Sequence, residues 1–152
     1  MTGEEIVARA RACIGARFRP QGRDPAHGLD CIGVAMMAMD LPRARAPRYY
    51  NLRSSDPALV NREFSACGFL RVVPKMARVG DLLVTEVEGR QLHIVLLTPK
   101  GYLHADVRHR RVVEVPGPLP WPIVSAWRHP EATPEPRVFD RTGDFLPPAT
   151  SD

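Results

Sequence analysis

At 152 residues, with 44% apolar and 25% charged side chains, the chain has the size and balance of one domain with a buried core and needs no second. Its apolar runs are too short to span a bilayer, and Met1-Thr2-Gly3-Glu4-Glu5 lacks the basic flank and apolar core of a secretory signal, so no membrane insertion and synthesis in the cytosol are expected. The net charge of +4 rests on arginine, since only Lys75 and Lys100 of the 21 basic residues are lysines. The one dense run, Arg108-His109-Arg110-Arg111, has no aromatic interleaving, so a solvated loop and no nucleic-acid partner are expected there.

Three cysteines in no paired spacing argue against a disulfide framework. Cys13 and Cys67 fall on the apolar stripes of helical patterns, where cysteine serves as a small buried hydrophobe.

In chain order, Thr2 and Glu5 have capping-box spacing, and Ile6, Val7, Ala10, Cys13 and Ile14 mark one face of a first helix that Gly15 stops. Residues 15–30, punctuated by Pro20, Gly22, Pro25 and Gly28, read as a loop delivering the chain to Asp30. Asp30 is an N-cap, and the run from Cys31 to Met39 is apolar nearly all round, the pattern of a helix buried on most sides and ended by Pro42 at about the third turn. A basic, proline-punctuated loop over 43–55 leads to Asp56-Pro57, the cap and first residue of a third helix that closes at Gly68.

From residue 69 the pattern turns to short strands: 69–73, 81–87, 92–97, 102–105 and 112–115, with a last one over 123–127 after the proline-rich segment 116–122. Helices followed by an antiparallel meander give an α+β fold, with the N-terminal helices packed on a sheet of about five or six strands. Residues 1–129 form the domain. Residues 130–152, with five prolines and few apolar anchors, read as an extended arm that orders only against a partner.

The chemistry centres on Asp30-Cys31. A cysteine in the first turn of a helix faces unsatisfied N–H groups and the positive end of the dipole, which favours thiolate and offers donors to an oxyanion. Two histidines follow, His93 opening one strand and His104 on the next. If Thr98-Pro99-Lys100-Gly101 is a turn closed by Thr98 and Gly101, Val95 falls opposite His104 and His93 lies diagonal to it on the same face. A thiol packed against that face completes a nucleophile, a base and an orienter.

With those residues in view, the sequence resembles the NlpC family of cell-wall cysteine peptidases. Asp30-Cys31-Ile32-Gly33 heads an apolar helix, Gly80-Asp81-Leu82-Leu83 and His93-Ile94-Val95 open successive strands, and Leu103-His104-Ala105 lies on the one after. Arg17-Phe18-Arg19-Pro20-Gln21-Gly22 looks like the family's approach loop. The resemblance runs from residue 3 to about residue 128. It implies a papain-like fold in circularly permuted form, with Cys31 as nucleophile, His93 as general base and acid and His104 orienting the imidazole. Phe18 and Asp30 would lie beside the oxyanion and substrate. It further implies hydrolysis of amide bonds in peptidoglycan stem peptides, typically the γ-D-glutamyl to diaminopimelate linkage, without cofactor or metal.

The pattern departs from the family at Phe18, where a tyrosine is usual, and at Ile32, where serine is common. Ala126-Trp127-Arg128-His129-Pro130 is most similar to members carried with phage and phage-like tails. That subgroup implies a virion or tail location and tail or hub partners, with residues 130–152 as the candidate docking segment. Two other readings stay open: a tail-tip component with little activity, and a zinc site built from Cys31, His93, His104 and Asp106 or His109.

Overall fold

The computed structural model describes residues 1–42 and 56–132, together with the backbone of 138–139 and 145–146. The capping box forms as its spacing predicts: Thr2 Oγ1 accepts from the Glu5 N–H at 3.1 Å, and Glu5 Oε2 accepts from the Thr2 N–H at 2.8 Å. Helix α1 (Gly3–Arg11) then buries Ile6, Val7 and Ala10. The loop that follows is more ordered than its prolines and glycines suggest, for it contains a small hairpin of β1 (Arg23–Asp24) and β2 (Gly28–Leu29).

Helix α2 (Cys31–Ala38) buries every residue but Met37, as its unbroken apolar run requires. It ends a turn earlier than Pro42 suggests. Asp40 adopts a left-handed φ of 52°, and the Leu41 and Asp40 N–H groups bond back to the Met36 and Met37 carbonyls at 3.0 and 3.4 Å. This is a Schellman closure with aspartate in the place usually taken by glycine. Helix α3 (Pro57–Ala66) is capped by Asp56, whose Oδ1 accepts from the Ala58 N–H at 3.0 Å, and the chain leaves it through Gly68. The expected loop over 43–55 lies outside the described residues.

Six strands form one antiparallel sheet: β3 (Leu70–Val72), β4 (Leu82–Val87), β5 (Gln91–Leu97), β6 (Gly101–Asp106), β7 (Arg111–Pro116) and β8 (Ile123–Arg128). Their order is β3-β8-β4-β5-β6-β7, so the last of them returns to pair between β3 and β4. The α+β class and the helix-on-sheet arrangement follow the sequence expectation.

One sheet face, carrying Leu82, Val84, Leu92, Ile94, Leu96, Leu103 and Ala105, shares the main core with α1 and α2. The other face carries Leu83, Val95, Tyr102 and Ala126, with Leu119 and Trp121 of the proline-rich segment packed over it. Phe64 of α3 stacks on Trp127 at 5.1 Å between centroids, and Arg128 clamps the buried Asp81 through two bonds of 2.9 and 2.7 Å. Within the expected arm only the backbone of a short antiparallel pair is described, β9 (Val138–Phe139) with β10 (Phe145–Leu146). The rest of 133–152 lies outside the described residues. Among the described residues no helix is long and apolar enough to cross a membrane.

Two ladders flanking the site differ in extent. β4 and β5 pair along their whole length, from Leu82↔Leu96 to Val87↔Gln91. β5 and β6 pair only at Leu96↔Leu103 and Leu97↔Tyr102, next to their turn. Below that point the two strands carry His93 and His104.

Candidate active site

Asp30 builds the helix start. Its carboxylate accepts from the Gly33 N–H at 2.8 Å, the Gln21 N–H at 2.9 Å and Arg23 Nη1 at 2.7 Å. The first is the N-cap bond; the other two tie the approach loop to the first turn of α2. Asp30 is 2% exposed and all of these partners are protein groups. Gly33 explains the spacing from Cys31, because a Cβ there would sit 2.2 Å from the Gly22 carbonyl oxygen. Only glycine lets the loop lie on the helix at that point. Phe18, in the same loop, forms a bridge with Leu29 and donates its N–H to the Arg110 carbonyl at 2.9 Å, with its ring half-buried against the core.

Cys31 opens α2 and is 2% exposed. Burial first, and the neighbouring Asp30 carboxylate after it, push its thiol up to about 12. The N–H groups of Ile94 and Ile32 and the Arg23 guanidinium pull the other way without prevailing. The sequence expectation of a thiolate favoured by the helix end is therefore corrected. The dipole and N–H groups act at Cys31, but the loss of water around the sulfur outweighs them, and the resting group is the thiol.

The Thr98–Gly101 turn forms as the parity argument requires: the Thr98 N–H donates to the Gly101 carbonyl at 3.0 Å, and Thr98 Oγ1 accepts from the Gly101 N–H at 3.1 Å. The register it sets puts His93 and His104 on the same sheet face, and their rings meet directly. His93 Nε2 lies 2.7 Å from His104 Nδ1, with ring centroids 5.0 Å apart. Burial first, and the proximity of His104 after it, lower His93 to about 3 against the opposing Asp106 carboxylate. His104 is also lowered, first by burial.

The structure thus joins the two histidines on the sheet face of Val95 and Tyr102, whereas Cys31 packs in the main core on the face of Ile94 and Ala105, where the Ile94 N–H acts on its thiol. The expectation of a thiol packed against the histidine face is corrected. Among the described residues, backbone N–H groups face the sulfur, and His104 bonds the His93 ring.

Three neighbours of the pair carry more than the sequence signalled. Trp121 packs on both imidazoles, 5.8 Å from His93 and 5.6 Å from His104, and on Tyr102 at 5.7 Å. Tyr102 also lies 5.3 Å from His104. Asp106 accepts from the Arg108 N–H at 2.8 Å and meets His109 Nδ1 at 2.5 Å. Burial alone would raise Asp106, but these bonds hold it below the usual carboxylate value. Strand alternation points to Tyr102 and Asp106, which share the parity of His104. Trp121 is brought in from a distant proline-rich segment, and no local pattern announces it. Among the described residues no group of three or more histidine, cysteine or acidic side chains is placed to hold a metal ion, so the zinc reading gains no support.

No family model matches the sequence, and no curated protein matches it. Solved structures do. The NlpC/p60 domain of the peptidoglycan hydrolase SagA shares 25% identity over 76% of this chain and 90% of that one, with a TM-score of 0.55. The fold is that of the NlpC/p60 domains. The peptidoglycan hydrolase RipB of Mycobacterium tuberculosis aligns with 22% identity over 83% of this chain and 63% of its own, at a TM-score of 0.54. NlpC2 of Trichomonas vaginalis aligns with 15% identity over 83% of this chain and 47% of its own, at a TM-score of 0.60. The NlpC/p60 fold agrees with the papain-like architecture that the resemblance implied, with a cysteine helix against an antiparallel sheet.

Proposed function

We propose that this protein is a cysteine peptidase that hydrolyses amide bonds in peptidoglycan stem peptides, with Cys31 as nucleophile, His93 as general base and acid and His104 as its orienting partner. The observation that carries the reading is the 2.7 Å bond between the two imidazoles, on the strand whose Ile94 N–H holds the thiol. Similarity to the NlpC/p60 domains of SagA and RipB, both described as peptidoglycan hydrolases, supports the substrate class.

Because the resting thiol and His93 are both neutral, the reaction begins with proton transfer. His93 takes the thiol proton as the sulfur attacks the carbonyl carbon, and negative charge gathers on the carbonyl oxygen near the start of α2. The tetrahedral adduct collapses to a thioester as His93 gives that proton to the departing amine. Water, deprotonated by His93, then attacks the thioester and releases the carboxylate product, and the proton returns to the sulfur.

The same reading places the protein in a phage-like tail, opening the cell wall locally, with residues 130–152 as the segment that docks a hub protein. A tail-tip component with little activity is the second reading; the buried thiol and the missing hydroxyl at Phe18 favour it. Mass spectrometry of muropeptides after incubation with wild type and Cys31→Ala separates the two. New fragments from wild type alone establish the peptidase and identify the bond cut. Undigested muropeptides with wild type, or digestion by Cys31→Ala, overturn it.

A further inference from the structure

The arginines set aside as a solvated loop acquire neighbours in the fold. The β6–β7 hairpin and the approach loop run side by side: Arg17 and Arg111 form an antiparallel bridge, the Phe18 N–H donates to the Arg110 carbonyl, and the Val112 N–H donates to the Ala16 carbonyl, each bond at 2.9 Å. Residues opposite each other across such a bridge share a face, with Cβ atoms roughly 5 Å apart, and like charges there repel. Arg17, Arg19, Arg108, Arg110 and Arg111 are all exposed.

Among the described residues no ion pair engages Arg17, Arg19, Arg110 or Arg111, and Arg108 has only a 3.6 Å contact with the fully solvated Glu88. The nearby carboxylates are committed elsewhere, Asp106 to His109 and the Arg108 N–H, and Glu114 to Arg11. Arg110 holds its place at a left-handed φ of 56°, a conformation that disfavours its side chain.

Two stretches of backbone connect this surplus of positive charge to the site. Phe18, flanked by Arg17 and Arg19, bridges to Leu29, two positions before Cys31. The stem of Arg19 lies over Gly28, where an added Cβ would be 2.6 Å from Arg19 Cβ and 3.5 Å from its Cδ. The hairpin carrying the other three arginines continues directly from His104 along β6.

We propose that Arg17, Arg19, Arg108, Arg110 and Arg111 form a rim that binds the carboxylates of an acidic peptide substrate beside Cys31 and the His93–His104 pair. The proposal rests on the peptidase reading for the word substrate, but binding is testable without catalysis. Planar guanidinium forks suit carboxylates and hold them by paired charge-assisted bonds. A nucleic acid fits less well, because Phe18, the aromatic residue between the arginines, turns its ring to the core and leaves no stacking platform.

The test uses full-length Cys31→Ala protein and a fluorescent stem-type peptide in two forms, one with free carboxylates and one with the same carboxylates amidated. Arg17→Gln with Arg110→Asn removes two charges, and asparagine tolerates the left-handed backbone at 110. Binding of the acidic peptide is expected to weaken about five- to tenfold, with no change for the amidated one. Arg17→Lys, which keeps the charge, is expected to retain most of the affinity in an otherwise wild-type rim.

Equal losses on both peptides, no loss on either, or tighter binding of a single-stranded oligonucleotide than of the acidic peptide would overturn the rim. Wild-type protein that cleaves neither peptide while these binding differences hold would sink the peptidase reading and leave the rim standing. Cleavage that ignores the arginines would do the reverse.

Discussion

His93 Nε2 and His104 Nδ1 face each other at 2.7 Å, so a single proton lies between the two rings. If His93 is to accept the thiol proton through its other nitrogen, that shared proton must belong to His93 Nε2, and His104 must receive it on an unprotonated Nδ1. His104 then carries its own proton on Nε2. The second imidazole works by fixing which nitrogen of the first is free.

The roles of the two histidines are therefore unequal. His93→Ala is expected to remove activity to the limit of detection, because the proposed acyl transfer then has no general base. His104→Ala is expected to lower kcat about 10²-fold with little change in KM, since orientation and tautomer are lost and not binding. His104→Asn, whose amide oxygen can still accept from Nε2–H, should recover part of the difference. Steady-state kinetics of the three variants checks this, and a His104→Ala enzyme as active as wild type would remove the orienting role.

The buried thiol gives a second prediction. With Cys31 pushed up to about 12, its alkylation by iodoacetamide should be slow at neutral pH and keep accelerating as pH rises past the ordinary cysteine value. Peptide mass spectrometry resolves Cys31 from the half-buried Cys67, which serves as an internal comparison. A rate that is already at its plateau below neutral pH would mean a resting thiolate and a different first step.

Much of this arrangement was legible before any coordinates. The capping box of α1, the Asp30 and Asp56 caps and the strands come from local spacing, and the parity of His93 and His104 comes from one turn, Thr98–Gly101, whose length fixes the register of everything beyond it. What could not be read depends on partners distant in the chain. The protonation of Cys31 is decided by how much protein closes over it, the Trp121 cover arrives from a segment with no periodicity, and α2 stops at Asp40 because a residue other than glycine takes a left-handed turn there. Arg17 and Arg111 illustrate the same limit: each is an ordinary exposed arginine in sequence, and only the fold sets them opposite each other.

Stability should fall in mild acid. His93 stands near 6.5 when unfolded and is lowered to about 3 in the fold, so between those values the unfolded chain binds a proton that the folded chain refuses. The stabilisation is whole above the unfolded value and is lost as pH falls towards the folded one, at up to about 1.4 kcal/mol per pH unit for this group. His104 and His129, both lowered chiefly by burial, act in the same direction. Urea unfolding at about pH 7.5 and about pH 5 should show a lower midpoint in acid, and His93→Gln should reduce that difference. An unchanged midpoint would mean that His93 is protonated in the fold.

Asp30 supplies the last test. Replacing it with alanine leaves the Gly33 and Gln21 N–H groups without their acceptor and strips Arg23 of a carboxylate 2.7 Å away. Asp30 is buried, so the cost should be large, about 3 kcal/mol, well above the loss of an exposed cap alone. Gly33→Ala attacks the same junction from the other side, driving a methyl group to within 2.2 Å of the Gly22 oxygen, and should cost about 1–3 kcal/mol. Because both changes free the approach loop from the first turn of α2, the double variant should be less destabilised than the sum of the two. Chemical denaturation of the singles and the double closes the cycle. Strict additivity would show that Asp30 and Gly33 stabilise the helix start independently, and would break the link drawn here between the loop and the position of Cys31.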